Sequence, residues 1–143
     1  MRPLCERVVS LVSLQAEVAK ATIAQDLPSR DLTLVVDAGK IEQVLLNLLG
    51  NAIEAAAASG GGHVTLRARR LPRSMFFEVE DDGPGLPSPD APIFDPFFST
   101  KPHGTGLGLA ITHRIVADHG GDITVESRPG RTVFRVTLPL EPE

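Results

Sequence analysis

With 143 residues, a formal net charge of −4 and neither tyrosine nor tryptophan, the chain is long enough to bury one core without staples. It lacks the basic, aromatic-studded surface that would recruit nucleic acid. Its one cysteine, Cys5, excludes an internal disulfide and fits a reducing compartment. The longest apolar run, VLLNLLGNAIEAAAA, is broken by Asn47, Asn51 and Glu54, and no signal-peptide pattern is present. A soluble cytoplasmic domain without membrane contact is expected, which leaves open whether a parent protein is membrane-anchored.

In chain order, Leu4, Val8, Leu11 and Val12, then Gln15 and Val18, recur at helical spacing and predict a helix over residues 4–20. The β-branched segments TIAQDL (22–27) and LTLVVD (32–37) flank the turn-rich PSRD and predict a hairpin or two neighbouring strands. Asp37 is placed to N-cap a long helix that starts near Ala38, runs through GKIEQVLLNLLGNAIEAAAAS and stops at glycines 60–62. HVTLRARR (63–70) and MFFEVE (75–80) alternate as half-buried strands do. A further helix, GLGLAITHRIVADH (106–119), closes on Gly120 and Gly121. DITVES (122–127) and TVFRVTLP (132–139) then form a hairpin around RPG. Hairpin-connected strands mixed with helices argue for an α+β two-layer sandwich, in one domain over residues 1–143, rather than a doubly wound parallel sheet.

Three constellations carry chemistry. On the long helix Asn47 and Asn51 stand four residues apart, on one face, with Glu54 a turn further on. Asparagine is a poor helix former, so two in register read either as a solvent border or as a polar stripe lining a site. Their amide oxygens are hard, neutral ligands suited to Mg²⁺. In FFEVEDDGPG, period-two alternation places Asp81 on the apolar side of the strand with Phe77 and Val79, where a carboxylate needs a donor. Gly83 and Gly85 then allow another backbone or a flat ligand to approach, and a buried acceptor beside them could take the exocyclic amine of adenine. A plain Asp-Gly turn is the alternative; a calcium loop on Glu78, Glu80 and Asp82 fails because its closing glutamate would fall at Pro89. Finally, Gly104, Thr105, Gly106, Leu107 and Gly108 open a helix, so their amides offer an anion site for phosphates. No Lys-Ser/Thr pair follows, as a P-loop requires, and no strand precedes, as a dinucleotide fingerprint requires. Lys101 either reaches the terminal phosphates or is a solvated loop charge.

Together and in this order, these segments resemble the nucleotide-binding boxes of the GHKL superfamily, the ATP-binding fold of gyrase, Hsp90, histidine kinases and MutL. QVLLNLLGNAIEAA is similar to the N box of sensor histidine kinases, DDGPG to the first glycine box, IFDPFFSTK to the F box and GTGLGLAI to the second glycine box. HGGDITVESRPGRTVFRVTLP is similar to the closing strands, and the flavour FFSTKP…GTGLGLAI is most like the nitrogen-regulation and oxygen-sensing group. The resemblance implies a mixed sheet with helices on one face, and an ATP lid from about Pro87 to His103 anchored by Phe94, Phe97 and Phe98. It also implies a nucleotide site in which Asp81 recognises adenine beside Gly83 and Gly85. Asn51 ligates Mg²⁺ with help from Asn47, and Glu54 belongs to the same stripe. Lys101 orients the γ-phosphate, and the amides from Gly104 to Gly108 hold the phosphates. Thr132 shares the adenine with Asp81 through a water, although Arg131 stands where the family carries a second glycine.

Superfamily members that hydrolyse ATP carry a glutamate at the position of Asn47, and an amide cannot accept a proton from water. The resemblance therefore implies a kinase. The same position weighs against the serine kinases of the anti-sigma-factor type. A nucleotide-binding interaction module that no longer transfers phosphate stays open. None of His63, His103, His113 and His119 is followed by an acidic residue, so the phosphoacceptor is expected on a separate dimerisation and histidine-phosphotransfer domain, with a response regulator downstream. Residues 1–20 resemble the run out of that domain, and His119, near a helix C-terminus, reads as structural.

Overall fold

A computed structural model describes residues 2–28, 36–58, 62–86, 93–94 and 108–140. Eight elements follow in the order α1 (Arg2–Ala19), β1 (Thr22–Asp26), α2 (Ala38–Ala58), β2 (His63–Arg70), β3 (Ser74–Asp81), α3 (Gly108–Asp118), β4 (Asp122–Arg128) and β5 (Arg131–Pro139). The strands form one sheet in the order β1-β2-β3-β5-β4. Val64, Leu66, Phe77, Val79, Val136 and Leu138 on one face of the sheet share a core with Ile41, Val44, Leu48 and Ile53 of α2. Two layers result, one of helices and one of sheet, as the alternation in β2, β3 and β5 requires.

β1 pairs in parallel with β2, from Thr22 opposite His63 to Asp26 opposite Arg67, with the long helix α2 as the crossover between them. Of LTLVVD, residues 32–35 lie outside the described residues, and Val36 and Asp37 are not in a strand. In α1 the inward stripe is Cys5, Val8, Val12 and Ala16, whereas Leu11, Leu14 and Val18 are exposed. The helix carries two apolar stripes at helical spacing, and spacing by itself does not say which one meets α2.

Asp37 caps α2 as expected: its Oδ1 accepts from the Lys40 amide at 3.1 Å. Its own amide donates to Nε2 of His119 at 3.2 Å, while Nδ1 of that ring lies 2.8 Å from the Ile115 carbonyl. His119 thus staples the end of α3 to the start of α2. Asp37→Ala should lower stability by about 1 kcal/mol through loss of the cap, read as a shift of the urea midpoint at constant slope.

The outer face of the sheet is charged. Glu78 lies between Arg67 at 3.0 Å and Arg135 at 2.8 Å, and Arg135 also covers the Phe76 ring at 4.1 Å. Burial would raise the Glu78 pKa, but hydrogen bonds and charge from Arg135 and Arg67 outweigh it and hold the carboxyl below its ordinary range. Arg131 belongs to this face, with Glu80 at 3.3 Å.

Candidate functional site

Asp81 ends β3 on the core-facing side, almost completely buried, and is paired in register with Thr132 of β5, which in turn opposes Ser127 of β4. Directly opposed residues of antiparallel strands share a face. The end of the sheet therefore presents a polar row, Asp81, Thr132 and Ser127, above an otherwise apolar face of β3, β5 and β4. Burial pushes the Asp81 pKa up to about 6, against the hydrogen bond from the Gly83 amide and with the charges of Asp82 and Glu80 adding to the rise. The Gly83 donor lies 2.9 Å from Oδ1. A buried carboxylate with one backbone donor retains acceptor capacity for a ligand amine.

The first glycine box is clamped between α2 and the β4–β5 hairpin. A Cβ on Gly83 would lie 2.6 Å from the Ala55 carbonyl oxygen, and the Gly83 carbonyl accepts from the Gly130 amide at 2.9 Å. Gly85 has φ +90°, with the Arg128 carbonyl 3.0 Å from where a Cβ would stand. The Leu86 amide donates to Ser127 Oγ at 2.8 Å, and Ser127 Oγ lies 2.9 Å from Thr132 Oγ1. Asp82, next to Asp81, accepts from the His63 amide at 3.0 Å and ties the box to β2. Arg131 lies on the opposite face of β5 from Thr132, where it pairs with Glu80 rather than entering this corner.

Asn47 and Asn51 are half-buried and one turn apart on α2, with Glu54 exposed beyond them. The Asn47 amide nitrogen donates to the Gly108 carbonyl at 3.3 Å and to Thr112 Oγ1 at 3.2 Å. It thereby fixes the first turn of α3 against α2, a role that its position in the sequence did not announce. Phe94 packs at a tilt against His113 of α3, 5.3 Å between centroids, and edge-on to Phe134 of β5 at 6.4 Å, while Ile93 is buried in the core. Lys101, Gly104, Thr105, Gly106 and Leu107, with Phe97 and Phe98, lie outside the described residues.

Sequence reasoning missed Ser127 and Thr112. Thr112 is fully buried on the stripe of Ile115 and Val116, a hydroxyl at core spacing that signals a hydrogen-bonding duty. Ser127 shares the parity of Ile123 and Val125 in β4, and that was its only signal.

The donor set suits Mg²⁺ better than a transition metal. Among the described residues no three His, Cys, Asp or Glu side chains gather as a metal cluster, whereas two neutral amides stand together beside the start of α3. Such a pair would suit an ion that keeps water and phosphate oxygens as its other ligands.

A family profile described as histidine kinase-, DNA gyrase B- and HSP90-like ATPase matches residues 36–142. The chain belongs to that family. Among curated proteins it is similar to the sensory histidine kinase/phosphatase NtrB of Rhodobacter capsulatus, 46% identical over 123 residues that cover 75% of this chain and 34% of NtrB. Among solved structures it resembles the catalytic domain of histidine kinase ThkA, with TM-score 0.87 and 34% identity over 99% of this chain and 95% of that one. It also resembles full-length ShkA in complex with AMPPNP, with TM-score 0.87 and 35% identity over 99% of this chain and 30% of that one. The chain thus spans about a third of NtrB and nearly all of the ThkA catalytic domain, and its fold is that of a histidine kinase catalytic domain. No described helix of this ATPase-family domain is long and apolar enough to cross a membrane.

Proposed function

We propose that the chain binds Mg-ATP and donates the γ-phosphoryl group to a histidine on a separate helical-hairpin domain, for relay to a response regulator in the cytoplasm. The observation that carries this reading is the buried Asp81 carboxylate at the end of the core face. There it stands opposite Thr132 and behind a glycine box too tightly packed to hold side chains. In this reading Asp81 accepts the adenine amine, Thr132 completes the adenine edge, and Gly83 and Gly85 let the base lie against backbone. Asn51 and the oxygen of Asn47 would hold Mg²⁺, with Glu54 on the rim. That ion would neutralise charge on the phosphate oxygens. The amides of Gly104, Thr105, Gly106, Leu107 and Gly108 would cradle the phosphates with Lys101 beside them, and Phe94 would seat the lid over the nucleotide.

The chemistry asked of these residues is positioning. The acceptor imidazole nitrogen forms a bond to the γ-phosphorus, the bond from that phosphorus to its bridging oxygen breaks, and ADP leaves. Asn47 offers no base for water, so transfer prevails over hydrolysis. The testing experiment incubates the chain with Mg²⁺ and γ-labelled ATP, with and without a hairpin fragment that carries the acceptor histidine. Label on the hairpin, with little free phosphate in its absence, is the expected result. Rapid phosphate release by the chain alone would make it a hydrolase, and tight binding without transfer would make it an interaction module.

A further inference from the structure

We infer that Ser127 is a positioning residue that sets the direction of the Thr132 hydroxyl and thereby the preference of the site for adenine over guanine nucleotides. The inference rests on the nucleotide reading above and extends it to a residue in no nucleotide-binding box.

The argument is a count of hydrogens. Ser127 has one hydroxyl hydrogen and two acceptor lone pairs. One lone pair takes the Leu86 amide at 2.8 Å, and among the described residues the other contact of that oxygen is Thr132 Oγ1 at 2.9 Å. If Thr132 donated to Ser127, the serine hydrogen would have no acceptor among the described residues, in a half-buried position where an unmade hydrogen bond is costly. The satisfied arrangement is a chain in one direction, from the Leu86 amide to Ser127 and from Ser127 to Thr132, each donor polarising the next. The Thr132 hydrogen is then directed away from Ser127, toward the side where Asp81 stands opposite Thr132 in register.

The row then offers an acceptor at Asp81 and a donor at Thr132. The Watson–Crick edge of adenine presents the complement: an amine that donates and a ring nitrogen that accepts. Guanine presents a carbonyl that accepts beside a ring N–H that donates, so in direct contact both of its groups oppose the row. Buried polar groups left unpaired by the wrong ligand are the strongest source of such discrimination. Without Ser127 the Thr132 hydroxyl is free to rotate and to accept, and guanine meets less opposition.

The test is calorimetric titration of the chain with Mg-ATP and Mg-GTP. Ser127→Ala should reduce the ATP-to-GTP affinity ratio about tenfold, the effect of one misdirected hydrogen bond. Ser127→Thr, which keeps the hydroxyl, should restore the ratio. In a Thr132→Val background the Ser127→Ala change should leave the ratio where Thr132→Val alone puts it, because the two residues act through one hydrogen. Should Ser127→Ala fail to fold, Ser127→Cys, with its weak donor and acceptor, reads the same ratio. Equal loss for both nucleotides, with the ratio preserved, would reduce Ser127 to a clasp for Leu86 and overturn the inference. A wild-type chain that binds neither nucleotide would instead bring down the nucleotide reading, and the inference with it.

Discussion

Asp81→Asn is expected to weaken ATP binding by about 100-fold or more, because the replacement turns an amide N–H₂ toward the adenine amine or removes the charge that it meets. The fold should survive. The folded-state pKa of Asp81 is raised from its ordinary 3.8 to about 6, so ionising this group disfavours the folded state. Its contribution to stability is complete below the unfolded value and is lost as pH rises through about 6. At pH 8 the neutral asparagine should therefore be no less stable than the wild-type chain, and denaturant titrations at pH 8 and pH 5 would read the difference. Ligand binding carries the opposite sign, since only the carboxylate accepts the amine. Wild-type affinity for ATP should fall about tenfold per pH unit well below the Asp81 pKa, while Asp81→Asn stays flat apart from titration of the nucleotide itself. An affinity for ATP left unchanged by the substitution would remove the adenine assignment.

Gly83→Ala should be the most disruptive single methyl in the site. The new Cβ would stand 2.6 Å from the Ala55 oxygen, 2.8 Å from its carbon and 2.9 Å from its Cβ, all of them on α2. Gly83 cannot step back, since its amide holds Asp81 and its carbonyl holds Gly130. Overpacking against the α2 backbone should cost about 3 kcal/mol and abolish nucleotide binding. Gly130→Ala is the control. Gly130 has φ +88° but nothing within 4 Å of the added Cβ, so only conformational strain of about 1 kcal/mol is expected, with nucleotide affinity kept. Equal losses for the two variants would mean that the glycine box is less rigidly clamped than these distances require.

What the sequence disclosed and what it withheld follow from the range of the forces involved. The α2 helix, its Asp37 cap, the asparagine pair and the emergence of Asp81 on the apolar side of β3 were legible because each depends on neighbours within a turn or a two-residue period. Gly120 and Gly121 marked the end of α3 for the same reason, and Gly120 does take φ +72°. The α1 stripe that faces inward was not legible, because two stripes met the spacing rule and only α2 decides between them. Nor was the parallel partner of β1, which lies beyond the whole length of α2. Ser127 and Thr112 act across strands and between helices, so their partners are invisible to any local window. The reverse orientation of Arg131 was within reach of period two once Thr132 was placed on the inner face.

That alternation has a consequence for how the domain can change. Along β3 and β5, residues of one parity form the core face that ends in Asp81 and Thr132, and those of the other meet the arginine–glutamate lattice around Glu78. One ribbon of chain thus carries two independent texts, read from opposite sides, and the outer text is open to resurfacing for solubility, salt tolerance or a new partner without rewriting the inner one. The separation leaks at one place only among the charges that shift Asp81 from β3 itself: Glu80, on the outer side, adds to the rise of the Asp81 pKa. Reversing the sign of the Glu80–Arg131 pair is therefore the edit through which the back of the sheet would retune the pH range of the front.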